Sequence, residues 1–588
     1  MKADARAILF VGLTAVVLGL PMLLLGPLVD GHDTIEHINF TRHFTEQFWS
    51  GDLYPRWLVD MNHGLGSPTY FVFPPLPAYL CALLEPVGRA LRFNSFNVAT
   101  FLALLASGIC AFLLLRKTVG PTEAAVGAAL YMAMPYHLVI DFYRRCAIPE
   151  SWALAWMPLI LYFLPGVVAA RRRAVVGFAV SYALMVFSHL ISVAMFSPIP
   201  LFLVVIVSPA GARIRSMVRV AAAELLGFGI SAAYLLPAFA NAKYISTARL
   251  ALFWAGSTGA NEVVGFGRGM FSLNGGDEWK AFHHLIAWAD VSTMALAAVS
   301  ALALGRDMPG TSRRLSVFWS AICCFSMFMM SRLSSAVWRY TPGLTRAIQW
   351  PWRFSAILCI GVLSLLAVLF SRRPWHSLVR DNRVRVALSI IAVFWLFGYG
   401  YVWWRYKTDT PSQKRWLPVN DHDGWFRGWS PMGMDPQATL LASAGPRIRF
   451  REGDGTADII IWRPRQIEFR TNSLTGGWVM VNQFYYPTWT ASIRGGATPI
   501  EVRTALPEGL LEVQVPPGIQ NIRVEIPLSR TEHLGRWISL LCAFLCMLLG
   551  FSRARDLRST EDGWLFNSFR PPDSQPKGER SFCTPLSG

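Results

Sequence analysis

About a dozen apolar stretches, each near twenty residues, run along this 588-residue chain, with Lys/Arg clusters in every second gap between them. A helix of about twenty apolar residues crosses a bilayer, and basic residues collect at the cytoplasmic ends of such helices. The clusters are Arg116-Lys117, Arg171 to Arg173, Arg213 to Arg219, Arg306 with Arg313 and Arg314, Arg372-Arg373, and Arg553 to Arg558. With twelve spans they all fall on one side. The expected architecture is a mainly α, polytopic transmembrane protein with both termini in the cytoplasm. The run from Ala7 to Val29 is longer than the apolar core of a signal peptide, so it reads as an uncleaved first span.

The composition agrees: 53% of residues are hydrophobic and only 15% are charged. A net charge of +18 raises nucleic acid as a partner, but the basic residues sit beside apolar spans and no nucleic-acid motif accompanies them. Nine cysteines lie mostly in apolar segments and form neither a disulfide framework nor a zinc spacing. There is no phosphate-binding loop, dinucleotide fingerprint, nucleophile elbow or metalloprotease motif.

The predicted organisation has four parts: a transmembrane region over 1–404, an outer β domain over 405–532, a last span over 533–552, and a disordered cytoplasmic tail over 553–588. Trp478–Gln483, Leu511–Val515 and Ile522–Ile526 alternate as strands do, and Gly495-Gly496 and Pro516-Pro517-Gly518 mark turns.

The gaps poor in basic clusters hold the unusual residues. The first outer loop, about 28–95, opens Gly31-His32-Asp33-Thr34-Ile35-Glu36-His37. Asp33 and His37 share a face if helical, and Ile35, Ile38, Phe44, Phe48 and Trp49 form an apolar stripe. That pattern predicts a helix in the membrane interface with an acid and a base at one depth. Asp33 can also cap this helix, with Glu36 completing a capping box. His32, Asp33, Glu36 and His37 leave a divalent cation open, with Asp33 and His37 as its ligands, although the spacing is no known signature. Further along, Tyr54-Pro55-Arg56-Trp57 and an aromatic stretch punctuated by Pro and Gly, 62–79, look like an ordered binding loop in which Arg56 meets an anion.

The second outer loop, 140–150, carries Arg144, Arg145 and Glu150. Two arginines against the positive-inside trend need a partner, and a phosphate suits a guanidinium. A later loop ends Gln349-Trp350-Pro351-Trp352-Arg353, where Arg353 is either an interfacial snorkelling residue or another phosphate or sugar contact.

These motifs resemble the GT-C class of membrane glycosyltransferases. Gly31 to His37, the Tyr54 to Trp57 run, the 63–79 stretch, Tyr143 to Glu150 and Ile348 to Phe354 are similar to a bacterial family of multi-span proteins labelled "6-pyruvoyl-tetrahydropterin synthase-related". Nothing in the sequence suggests a pterin site. The 482–489 run is similar to the C-terminal part of multi-span proteins linked to polymer glycosylation. The resemblance implies transfer of a sugar from a polyprenyl-phosphate donor to a glycan, lipid or protein acceptor at the periplasmic face of a bacterial inner membrane, within polysaccharide biosynthesis. It also implies Asp33 and Glu150 as the catalytic acids; the residues themselves put His37, Arg56, Arg144, Arg145, Gln349 and Arg353 forward as contacts to the donor phosphate or sugar. No cofactor is required beyond a divalent cation that remains open, because the first two loops lack an Asp-x-Asp pair. Two other readings stand beside it. One is a flippase for lipid-linked saccharides, for which Glu224 is the intramembrane candidate. The other is a non-catalytic scaffold of polysaccharide assembly.

Overall fold

The computed structural model describes residues 2–28, 31–244, 278–305, 310–341, 350–408, 434–494 and 499–551, with Met308, Gly343 and Ile348. The protein is mostly helical, with a β region towards its C-terminal end. Among the described residues, nine helices are long and apolar enough to cross a membrane. They are Lys2–Leu25, Ser95–Arg116, Pro121–Arg145, Ile148–Val168, Leu190–Val207, Ala281–Leu304, Pro351–Arg372, Asn382–Thr408 and Arg530–Phe551. The pair Ala210–Ile230 and Ala232–Tyr244, bent by 76°, makes a tenth if it is one span. Twelve spans were expected. Two of the twelve fall on helices that do not qualify: Arg172–Ser188 has only 17 residues, and Gly310–Met330 carries Arg313 and Arg314 in its first turns.

The second outer loop is also shorter than its composition suggested. Residues Tyr136–Arg145 continue the third span as a π-helix, and the next helix starts at Ile148. Cys146 ends the π-helix in the left-handed conformation, at φ 54°, where its amide returns to the Asp141 carbonyl. Asp141, Arg144 and Arg145 therefore stand on the end of a buried helix rather than in a loop.

The first loop contains the expected surface helix, Thr34–Trp49. Its aromatic stripe packs against the short helix Thr69–Val72 and helix Leu76–Leu91, with the Phe44 ring 4.7 Å from Tyr70 of the first and 4.9 Å from Tyr79 of the second. Asp33 occupies the N-cap position, but its side chain makes no capping hydrogen bond. The carboxylate is directed elsewhere.

The β domain is built from two antiparallel sheets. One has the order β1 (Ile448–Gly453), β4 (Gly477–Phe484), β8 (Leu510–Val515), β7 (Val502–Ala505). The other runs β2 (Thr456–Arg463), β3 (Gln466–Ser473), β9 (Gly518–Glu525), β5 (Thr490–Ile493), β6 (Pro499–Ile500). The three expected strands are β4, β8 and β9. The Gly495-Gly496 turn and the 553–588 tail lie outside the described residues. The domain's core does not close on itself. Trp57, Val59, Leu65 and Phe71 of the first loop complete it. Burying one Trp removes roughly 150–250 Å² from water, about 4–6 kcal/mol, so the loop and the sheets stabilise one another.

Hydrogen bonds fix this docking. Trp57 Nε1 donates to Gln483 Oε1 at 2.7 Å, and Gln483 Nε2 donates to the Gly64 carbonyl at 2.6 Å. Gly66, at φ +81°, lies against both partners: a Cβ there would stand 2.5 Å from Gln483 Oε1 and 2.6 Å from Trp57 Cζ2.

Candidate functional site

One guanidinium organises the residues that the sequence singled out. Arg145 Nη1 donates to Asp141 Oδ1 and to Glu150 Oε2, each at 2.7 Å, and Nη2 donates to Asp33 Oδ2 at 3.0 Å. Local structure explains the convergence. The π-helix places Asp141 four residues before Arg145 on one face. Glu150 lies in the first turn of the following helix, four residues after the left-handed Cys146. The first loop is tied to the same helix end, because the Asp33 amide donates to the Arg145 carbonyl at 3.0 Å and the His32 amide to the Arg144 carbonyl at 3.3 Å. Asp33 is thus positioned by its backbone as well as by its carboxylate.

The three acids are not equivalent. The side chains of Asp141 and Glu150 are 0% and 1% exposed, whereas Asp33 is 37% exposed. The buried pair is saturated: Tyr136 donates its hydroxyl to Glu150 Oε1 at 2.7 Å, and Ser151 donates to Asp141 Oδ2 at 3.0 Å. Unpaired buried charge is costly, so these contacts hold Arg145 in one orientation. Of the three, only the Asp33 side chain is also partly exposed.

The Trp352 ring lies 4.6 Å from the Arg145 guanidinium carbon and 5.8 Å from that of Arg353. Arg353 Nη1 is 3.0 Å from His189 Nε2, and His189 Nδ1 is 2.8 Å from Ser192 Oγ. Arg353 therefore reaches an imidazole, where Arg145 reaches three carboxylates. His37 lies one helical turn from Asp33, buried beside Phe73 at a ring distance of 5.8 Å.

Electrostatics separate Asp33 from His37. Burial pushes the Asp33 carboxyl up, but Arg145, with His37 and Arg353, more than offsets this and holds it below the usual carboxylate range. Burial drives His37 down to about 4; Asp33 opposes the shift and Arg145 adds to it. At neutral pH an ionised carboxylate thus stands beside a neutral imidazole.

The structure brings together Asp33, Arg145, Glu150 and Arg353, with His37 one turn away. Arg144 is buried in the same helix end. Arg56 is not part of the cluster: its Nε lies 3.1 Å from Glu532 Oε1, at the start of the last span. Gln349 lies outside the described residues. Among the described residues, no three His, Cys, Asp or Glu side chains are grouped as metal ligands; the cation facing Asp33 is the Arg145 guanidinium. The site also includes Tyr136, Asp141, Ser151, His189 and Trp352, to which the sequence reading gave no role. Asp141 four residues ahead of Arg145, and a lone His189 interrupting an apolar run, were the available signals.

A family model described as "6-pyruvoyl-tetrahydropterin synthase related domain; membrane protein" matches residues 69–249, the segment that contains Asp141, Arg144, Arg145, Glu150 and His189. No protein of curated function matches the sequence. Among solved structures, the chain is similar to the arabinofuranosyltransferase AftD from Mycobacteria, at 14% identity and a TM-score of 0.40, covering 67% of this chain and 28% of that one. It is similar to the archaeal oligosaccharyltransferase AglB from Archaeoglobus fulgidus, solved with an inhibitory peptide and a dolichol-phosphate, at 14% identity and a TM-score of 0.36, over 69% of this chain and 56% of that one. It is also similar to ArnT from Cupriavidus metallidurans, at 16% identity and a TM-score of 0.30, over 63% of this chain and 77% of that one. The chain spans less than two thirds of the length of the first two. The family model that matches residues 69–249 is the one that the sequence resemblance named.

Proposed function

We propose that this protein is a membrane glycosyltransferase that moves a sugar from a polyprenyl-phosphate-linked donor to a glycan, lipid or protein acceptor at the periplasmic face of a bacterial inner membrane. The observation that carries this reading is the inequality of the acids on Arg145: two are buried and saturated, and Asp33 alone is open.

Asp33 takes the proton from an acceptor hydroxyl. The acceptor oxygen bonds to the anomeric carbon of the sugar while the bond from that carbon to the phosphate oxygen breaks. The electron pair leaves with the polyprenyl phosphate, and the cationic Arg353 and Arg144 stabilise the growing charge. Arg145 orients Asp33. Glu150 and Asp141 act through Arg145 as positioning residues. Neutral His37 packs against Phe73 one helical turn from the base. The free energy resides in the donor bond, so no ATP site is needed, and no step is routed through a metal.

The test is a donor survey. Wild-type protein in liposomes receives radiolabelled polyprenyl-phosphate sugars or nucleotide sugars, together with cell-envelope acceptors. Release of label from the polyprenyl donor supports the reading. Turnover of nucleotide sugars alone, or release from no donor by folded protein, overturns it. A second reading, movement of a lipid-linked saccharide across the membrane, draws on two buried acids, Asp290 in the helix Ala281–Leu304 and Glu224 in the first half of the bent pair. It predicts passage of labelled lipid between leaflets without transfer.

A further inference from the structure

A cavity of about 1210 Å³ lies between the far end of the surface helix, the β domain and the start of the last span. Its lining includes His43, Glu46 and Gln47, which follow Asp33 on one helix by about ten to fourteen residues. At about 1.5 Å per residue, the cavity is on the order of 15–20 Å from the Asp33 carboxylate. It is a separate site.

The cavity carries charges of both signs. Arg447, Arg463, Arg465 and Arg536 come from the β domain and the last span, together with Glu525, which pairs with Arg523 at 2.6 Å, while Glu46, Asp52, Asp60 and Arg56 come from the first loop. Some of these charges are already matched. Arg465 pairs with Glu532 through two bonds of 2.9 and 3.1 Å, and Asp52 accepts from Gln47 Nε2 at 2.8 Å. Arg447, Arg463 and Arg536 have no carboxylate partner among the described residues. Arg56 is 1% exposed, and its Nη1 has no hydrogen-bond partner although its Nε meets Glu532. A buried donor in this state calls for an acceptor.

The depth of the cavity restricts the ligand. Arg536 is in the second turn of a membrane-crossing helix, between Leu534 and Trp537, which are 55% and 71% exposed. Such residues face lipid, and Arg and Trp side by side mark the headgroup layer. Trp49, 54% exposed, ends the first-loop helix that supplies His43, Glu46 and Gln47 to the lining.

From this geometry we infer that the cavity binds the headgroup of a phospholipid whose phosphate meets Arg463, Arg536 and Arg56, and whose hydroxyl or ammonium substituent donates to Glu46 or Asp60. The phosphate binds by charge-assisted hydrogen bonds, which are strongest to guanidinium groups. The Glu46 and Asp60 carboxylates favour a substituent with hydrogen-bond donors over a trimethylammonium group. The inference does not depend on the transfer reaction.

The test measures lipid retention by the purified full chain, using native mass spectrometry and a fluorescent-lipid titration. The probes are phosphatidylglycerol, phosphatidylethanolamine, phosphatidylcholine and free glycerol phosphate. Wild type should retain the first two over phosphatidylcholine. Arg463→Gln with Arg536→Gln should weaken retention by roughly tenfold or more, and Arg463→Lys with Arg536→Lys should restore much of it. Both arginines are exposed, so the fold should survive, as size-exclusion profiles will show. Asp33→Asn should retain lipid normally, which separates this outcome from failure of the transfer reading. Equal retention by wild type and the double Gln variant overturns the inference. So does equal retention of phosphatidylcholine. Glycerol phosphate binding as tightly as the lipids overturns the lipid assignment in favour of a soluble phosphate.

Discussion

Replacing Arg145 with Lys should detach Asp33 while leaving the protein folded. The guanidinium serves three acids through two nitrogens, Nη1 for Asp141 and Glu150 at 2.7 Å each and Nη2 for Asp33 at 3.0 Å. An ammonium has one nitrogen and cannot span this arrangement. The two buried acids hold it, because leaving either without a counter-ion costs more than releasing the half-open Asp33. The lost contact is a hydrogen bond between charged groups, worth about 1.5–3 kcal/mol. If that energy orients the base, the rate falls by roughly 10- to 150-fold. Single-turnover release of label from the polyprenyl donor measures this, with size-exclusion and thermal unfolding as controls for folding. Arg145→Ala is the contrasting variant: it strands Asp141 and Glu150 at a cost of about 3–5 kcal/mol and should reduce the yield of folded protein. A Lys variant that is folded and turns over at the wild-type rate would refute the idea that Arg145 orients Asp33.

Gly66→Ala should loosen the β domain from the first loop, since the new Cβ meets Gln483 and Trp57 at 2.5–2.6 Å on a left-handed backbone; lost stability of about 2–4 kcal/mol and faster trypsin cleavage in the β domain are expected. The pH profile of transfer should lack an inflection near 6.5. His37 is held down at about 4 and stays neutral until pH falls through that value, and Asp33 is held below the usual carboxyl range and stays ionised. The rate should therefore be flat from about pH 8 to about pH 5 and fall only in stronger acid. A half-maximal point near 6.5 would assign the control to another group.

Much of the architecture is legible in the sequence because bilayer thickness and charge sidedness act on local composition. The surface helix is legible for a similar reason, since its aromatic stripe recurs within sixteen residues. What local pattern cannot give is where a side chain goes. Asp33 reads as a helix cap, yet its carboxylate turns to Arg145, 112 positions away. Arg56 reads as an anion contact near the acids, yet it pairs with Glu532 on the last span. Locally, Ser529 and Glu532 form a capping box, the Ser529 amide donating to Glu532 Oε2 at 2.8 Å and the Glu532 amide to Ser529 Oγ at 3.1 Å, and that pattern gives no sign of Arg56. The π-helix has no sequence signature of its own, so 140–150 read as a loop. Strand β2 escaped because Ile459 and Ile460 are consecutive and both exposed, which blurs the alternation.

The central claim is that Asp33 is the open carboxylate that accepts the acceptor's proton. The most direct measurement is single-turnover transfer by purified Asp33→Asn, with binding of the polyprenyl donor measured in the same preparation. A general base commonly contributes about 10²–10⁴ in rate. The account predicts a loss of that size, with donor binding within a few-fold of wild type. Transfer by folded Asp33→Asn at the wild-type rate would contradict it.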